Sequence, residues 1–103
     1  MTIKYRILYW RDIPAQIKAK AGGQRLGRPL SSRFLVAIDE AAMRAGLTKS
    51  DDYLAHWRKS EWLERDGELV ETAEALVAEL EAAYPPERLS SMIRQHGLDE
   101  GGE

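Results

Sequence analysis

Residues 3–21 read IKYRILYWRDIPAQIKAKA, and this stretch decides the fold. In its first half every second residue is apolar or aromatic, and the alternation resumes in its second half, after Pro14. A period of two with many β-branched and aromatic types is typical of a strand that buries one face. Because proline fixes its own φ and restricts the residue before it, we expect two antiparallel strands joined by a corner at Arg11–Pro14.

The next segment predicts a loop and then a helix. Residues 22–29 hold three glycines and a proline, a composition typical of a loop. Apolar residues then recur at helical spacing, which predicts a helix that is capped by Ser31 or Ser32 and ends at Gly46. Its apolar face consists of Phe34, Ile38, Ala41, Ala42 and Ala45.

The second half of the chain holds several short secondary-structure patterns and one long helical pattern. The predicted elements are, in order, a short helix capped by Thr48 or Ser50, a third strand over residues 59–65, a long helix over residues 68–83 and a last helix that begins at Pro86 and is closed by Gly97. A continuous helix over residues 53–65 is the alternative to the third strand.

These elements predict one α+β domain. The expected architecture is a small antiparallel sheet, made of the N-terminal hairpin and the third strand, with three to four helices packed on one face. A chain of 103 residues fits a single domain. We expect the domain to cover residues 1–97 and residues 98–103 to form a flexible tail.

Composition excludes several classes of protein. The chain has no cysteine, which excludes disulfides, thiolate catalysis and cysteine zinc sites. No apolar run approaches the roughly 20 residues of a membrane span. Charges interrupt the apolar segment at the N-terminus, a pattern that does not fit a secretory signal. We therefore expect a cytoplasmic protein.

Charge is distributed unevenly along the chain. Residues 1–33 carry eight basic residues and one acidic residue, whereas residues 61–103 carry three basic and twelve acidic ones. Such asymmetry bears on partners rather than on the fold. Two interpretations follow: the basic hairpin forms a contact surface, or the late acidic helix packs beside it and neutralises it.

Two segments offer candidate binding residues. At the corner after the first strand, an exposed Trp10 would offer a stacking surface and Arg11 would hold an anion; the alternative is that both are structural. The glycine-rich loop matches neither a Walker loop nor a dinucleotide fingerprint, and it is either an anion site or a plain surface connection. The full candidate set is Trp10, Arg11, Asp12, Gln16, Gly22, Gly23, Arg25, Gly27 and Arg28.

The sequence offers little for catalysis. His56 and His96 are the only histidines, and no second metal ligand lies at useful spacing from either. No serine has a recognisable partner base, and no carboxylate pair stands out. We therefore predict no catalytic residues, no metal site and no cofactor, and we favour a protein that is not an enzyme.

Several motifs resemble a known family. The segments that carry the resemblance are Tyr9–Gln16, Arg33–Phe34, Ile38–Gly46, Asp52–Leu54 and Trp57–Arg58. They are similar to the small bacterial domain family called virulence factor, over about residues 3–90. That family has no defined activity, so no catalytic residues carry over. The resemblance implies at most an accessory role beside folate- and corrinoid-dependent methyl-transfer enzymes.

We therefore expect a non-catalytic accessory module that binds a partner protein, or a second copy of itself, through the basic aromatic hairpin. One alternative is binding of a small anion of the folate or nucleotide type at the glycine-rich loop. Another is single-stranded nucleic acid, stacked on Tyr5, Tyr9 and Trp10. We do not favour nucleic acid, because the pI is about 5.7 and the acidic helix is expected to lie close by.

Overall fold

The computed structural model describes residues 1–47 and 49–99, without the side chain of Ser50. This part of the chain is an α+β fold with a five-stranded antiparallel sheet and four helices. The elements are β1 (Thr2–Trp10), β2 (Ile13–Ala21), β3 (Gln24–Pro29), α1 (Ser32–Arg44), α2 (Ser50–Leu54), β4 (Trp57–Lys59), β5 (Leu63–Asp66), α3 (Leu69–Ala83) and α4 (Pro86–Arg94). None of these helices is long and apolar enough to cross a bilayer.

The long hairpin β1–β2 forms the centre of the sheet. β3 pairs with β2 on one side, and β4 and β5 pair with opposite ends of β1 on the other. The register of the hairpin shifts between Leu8 and Tyr9, because Gln16 lies opposite Leu8 and Pro14 lies opposite Tyr9. This bulge leaves Ala15 as an extra residue, and its carbonyl accepts a hydrogen bond from the Leu30 amide instead.

Helices cover one face of the sheet. Ile3, Ile7 and Ile17 are buried against Ala73 and Leu76 of α3. A second cluster, around the end of the hairpin, joins the sheet to α1 and α4; it includes Trp10, Ile13, Phe34, Ile38, Leu89 and Met92. Most core residues of β1 and β2 are therefore odd-numbered, as their alternation predicts, whereas Trp10 enters the core from an even-numbered position at the end of β1.

The predicted loop over residues 22–29 is wrong except at its start. Gly22 and Gly23 form a two-residue turn with φ of +54° and +82°, and the residues after them form β3. Two consecutive left-handed positions suit the turns that join hairpin strands, and glycine adopts them without steric cost. The sequence conceals β3 because it is an exposed edge strand that contains Gly27 and Pro29.

The predicted third strand exists in two pieces, β4 and β5, and the alternative of a continuous helix over residues 53–65 is wrong. Ser60 lies between β4 and β5 and hydrogen-bonds to β1 where neither strand pairs with it. Its amide donates to the Ile7 carbonyl and its hydroxyl accepts from the Ile7 amide.

The ends of two predicted elements fall partly outside the described residues. Thr48, one of the two expected caps of α2, lies outside them, and Lys49 takes the N-cap position. In the predicted tail, the Asp99 amide donates to the Asp12 carboxylate at 2.8 Å. Residues 100–103 also lie outside the described part of the chain.

Candidate anion-binding surface

The face of the sheet opposite the helices is rich in cations. Because side chains alternate along a strand, the residues between the core positions of β1 and β2 project to this side. Strand pairing brings residues of β3 and β4 beside them. We call this surface the cationic face; it consists of Lys4, Arg6, Lys18, Lys20, Arg25, Lys59 and Trp62.

Strand register places several of these cations directly opposite one another. Lys4 pairs with Lys20, Arg6 with Lys18, and Lys20 with Arg25. Like charges at directly opposed positions of a sheet are destabilising. The carboxylates on the same side, Glu64 and Asp66, lie on β5 at the edge of the sheet, where Glu64 faces Lys4. The sheet therefore carries a concentrated positive charge at a cost to its own stability.

Trp62 lies on this face in contact with two cations. It belongs to the connection between β4 and β5, and 37 % of it is exposed. The Arg6 guanidinium lies 4.1 Å from the centre of its ring and the Lys20 ammonium lies 4.2 Å from it. Such contacts hold a cation against an aromatic ring. Arg6 Nε is buried and has no hydrogen-bond partner in the described structure.

Two adjoining depressions run along the cationic face. The larger, about 480 Å³, lies beside Trp62 and is lined by Arg6, Lys18 and Lys59 among others. The smaller, about 370 Å³, lies at the Gly22–Gly23 turn. Lys20 and Arg25 line both depressions, so the two form one elongated track.

The ion pairs of the described structure lie outside the cationic face. They join Arg33 to Glu81, Arg58 to Asp12, Arg65 to Glu79 and Arg88 to Asp99, and none includes a cation of that face. Two of these carboxylates belong to α3. Since α3 covers the other side of the sheet, the acidic helix does not neutralise the cationic face.

The two carboxylates of α3 that form ion pairs, Glu79 and Glu81, have lowered pKa values. The hydrogen bonds from Arg65 lower the pKa of Glu79. Partial burial opposes ionisation of Glu81, but hydrogen bonds from Ser31 and Arg33 outweigh it and lower the pKa of Glu81. Both groups therefore stabilise the fold as carboxylates.

Of the corner residues, Trp10 is buried, whereas Arg11 and Asp12 are half-buried. Trp10 has no exposed surface, and its indole N–H donates to the Tyr53 carbonyl at 2.8 Å. The expectation of an exposed stacking ring is wrong, because the ring fills the core between the sheet and α1. Arg11 adopts a left-handed backbone with φ of +52°, and its guanidinium donates to the His96 carbonyl at 2.9 Å.

Asp12 holds the corner in place through three hydrogen bonds. One carboxylate oxygen accepts from Arg58 and the other from the Asp99 amide, while its own amide donates to the Gly97 carbonyl. Arg58 also donates to the Arg11 carbonyl at 2.9 Å. These contacts tie the β1–β2 turn to β4 and to the segment that follows α4.

The remaining candidates are divided between the two sides of the sheet. Gly22, Gly23, Arg25 and Gly27 line the two depressions of the cationic face. Gln16 lies half-buried on β2 opposite Leu8 and Pro29. Arg28 lies opposite the core residue Ile17, and its guanidinium donates to the Gly27 carbonyl at 3.3 Å.

The candidate list missed most of the cationic face, namely Lys4, Arg6, Lys18, Lys20, Lys59 and Trp62. The alternation that predicts β1 and β2 could have found the first four, because it places their charges on one side. The position of Trp62 depends on how β5 pairs with β1, and no local signal reveals that.

Both histidines lie in turns of the described structure. His56 lies edge-on to the Trp10 ring, with centroids 5.8 Å apart, and His96 occupies a left-handed turn with φ of +63°. Residues 1–47 and 49–99 hold no group of three or more His, Asp or Glu side chains able to bind a metal.

Fold and site together define a small α+β domain with helices on one side of its sheet and an uncovered cationic surface on the other. The chain belongs to the virulence factor family, whose model matches residues 8–93. No curated protein and no solved structure matches the chain.

Proposed function

We propose that this chain is a non-catalytic, cytoplasmic binding module that engages a negatively charged macromolecule through the cationic face. The observation that carries the proposal is the set of directly opposed like charges, Lys4 with Lys20, Arg6 with Lys18 and Lys20 with Arg25. A sheet gains no stability from this arrangement. An anionic partner would turn the repulsion into attraction.

The shape of the face supports a large partner. Pockets for small molecules bury most of their ligand's surface. The two depressions here are partly open to solvent, and together they follow the sheet from the Gly22–Gly23 turn to Trp62. This favours an extended chain over an enclosed small anion.

The charge distribution also bears on self-association. A two-fold dimer through the cationic face would set the same six cations against each other, because such an interface places one patch against its own copy. The proposal therefore concerns a partner other than a symmetric second copy.

Charge reversal at exposed positions tests the proposal. Lys18→Glu with Arg25→Glu replaces two like-charge pairs by opposite-charge pairs, so the fold should be retained and the melting temperature should stay equal or rise. Binding of labelled polyglutamate and of a labelled single-stranded oligonucleotide would be measured at low salt. We expect at least one polyanion to bind the unmodified chain, and the double variant to bind it at least tenfold more weakly.

The matched control is Arg44→Glu with Arg94→Glu, which makes the same change in net charge on exposed positions of α1 and α4. It should keep most of the affinity. Equal losses in both double variants would show that net charge alone attracts the polyanion. That result, or binding of neither polyanion by the unmodified chain, would refute the proposal.

A further inference from the structure

Resting on the proposed function, we infer that the partner is single-stranded nucleic acid, with phosphates on the cationic face and a base against Trp62. The inference deepens the proposal by naming the class of polyanion. It depends on the predominance of lysine among the cations, on the location of the exposed apolar residues of the helices away from this face and on the position of the one exposed tryptophan of the described structure.

The cationic face has the composition of a phosphate-binding surface. Four of its six cations are lysines, which are depleted at protein interfaces but bind phosphate as point charges. Protein interfaces also need an apolar core. Here the exposed large apolar residues of the helices lie elsewhere: Leu35, Val36 and Met43 on α1, Leu54 on α2 and Val70 on α3.

The arrangement of cations suits a chain of phosphates. Lys4, Lys20 and Arg25 form a row across β1, β2 and β3, because each lies opposite the next. Arg6, Lys18 and Lys59 line the depression beside that row. Neighbouring strands are about 4.8 Å apart, so successive phosphates of one strand can reach successive cations.

Trp62 supplies the aromatic surface that single-stranded binders place among such charges. Tyr5 and Tyr9 pack towards the core on the helix-covered side, and Trp10 is buried, so none of the three serves this role. Trp62 is partly exposed and lines the larger depression with the cations. The contacts with Arg6 and Lys20 hold its ring in place before a ligand arrives.

The test compares a labelled 15-nucleotide single strand, a duplex of the same sequence and polyglutamate, each titrated with the full chain across a range of salt. We expect the single strand to bind at least tenfold more tightly than the other two. With three to six phosphate contacts, log Kobs should fall against log salt with a slope of about −2 to −4. Lys18→Glu with Arg25→Glu should bring that slope about 1.4 closer to zero.

Trp62→Ala separates stacking from charge. It should weaken binding by about 5- to 150-fold at every salt concentration, because a stacked base contributes roughly 1–3 kcal/mol. The salt slope should stay unchanged, and Trp62→Phe should restore part of the affinity. A merely structural Trp62 would change slope and melting temperature together, and that result would overturn its role as a stacking residue.

The outcomes distinguish the inference from the proposed function. Tighter binding of polyglutamate, abolished by Lys18→Glu with Arg25→Glu, would overturn nucleic acid as the partner and point to an acidic protein segment. Equal binding of single strand and duplex would overturn the single-stranded class. Absence of binding to all three at low salt would overturn both the inference and the proposed function.

Discussion

Substitution of Gly97 by alanine should destabilise the packing around Trp10, and the geometry predicts by how much. Gly97 has φ of +88°, and a Cβ placed on it would lie 2.8 Å from Trp10 Cζ3 and 3.2 Å from Cε3. A left-handed backbone costs an L-residue roughly 1–2 kcal/mol. Forcing an extra carbon against a core ring costs about 1–3 kcal/mol more. We therefore expect Gly97→Ala to lower the free energy of unfolding by about 2–5 kcal/mol.

Gly46→Ala is the matched control. Gly46 ends α1 with φ of +74°, and a Cβ there would meet nothing within 4 Å. Gly46→Ala should therefore lower the free energy of unfolding only by the roughly 1–2 kcal/mol that the left-handed backbone costs an alanine. Urea denaturation followed by tryptophan fluorescence gives both values, and the difference between them isolates the contact with Trp10. If Gly97→Ala proved no more destabilising than Gly46→Ala, the reasoning that Gly97 closes the core over Trp10 would be refuted.

Two further predictions concern groups that the fold holds in place. Trp10→Phe should lower the free energy of unfolding by about 1–3 kcal/mol, since the Tyr53 carbonyl loses its donor; an unchanged urea midpoint would contradict this. Because hydrogen bonds from Ser31 and Arg33 lower the pKa of Glu81 despite partial burial, its contribution is present above the unfolded pKa and lost as pH falls through the folded pKa. Glu81→Gln should therefore destabilise at pH 7 and show a smaller loss of stability from pH 7 to pH 3, and an acid-side loss equal to that of the unmodified chain would contradict this reasoning.

The helices and the hairpin could be predicted because their signals are local. The apolar period of residues 3–21 predicted β1, the bend and β2, and the helical spacing of Phe34 and Ile38 predicted α1 with its end at Gly46. β3 could not be found in this way. An edge strand buries little, so its composition is free to be polar and glycine-containing, and only its pairing with β2 identifies it.

The burial of Trp10 could not be predicted from the sequence, because charge and exposure are different properties. The sequence shows that Trp10 and Arg11 are adjacent to many cations, but burial is set by elements far along the chain. Tyr53 and Gly97 close over Trp10, and the turn at His96 receives Arg11. In contrast, the strand period itself places the lysines of β1 and β2 on the face opposite the core, so their placement was available from the sequence.

The structure assigns stability and charge to different residues of the same two strands. Odd-numbered positions such as Ile7 and Ile17 hold α3 against the sheet, and the corner at Asp12 fixes the end of the hairpin. Even-numbered positions such as Lys18 contribute repulsion instead, since Arg6 lies directly opposite. A fold selected for stability alone would replace one cation of each pair by a carboxylate, as α3 and β5 do with Glu79 and Arg65. The like charges on this face therefore do not contribute to holding the fold together, and this is the ground on which we propose an anionic partner for it.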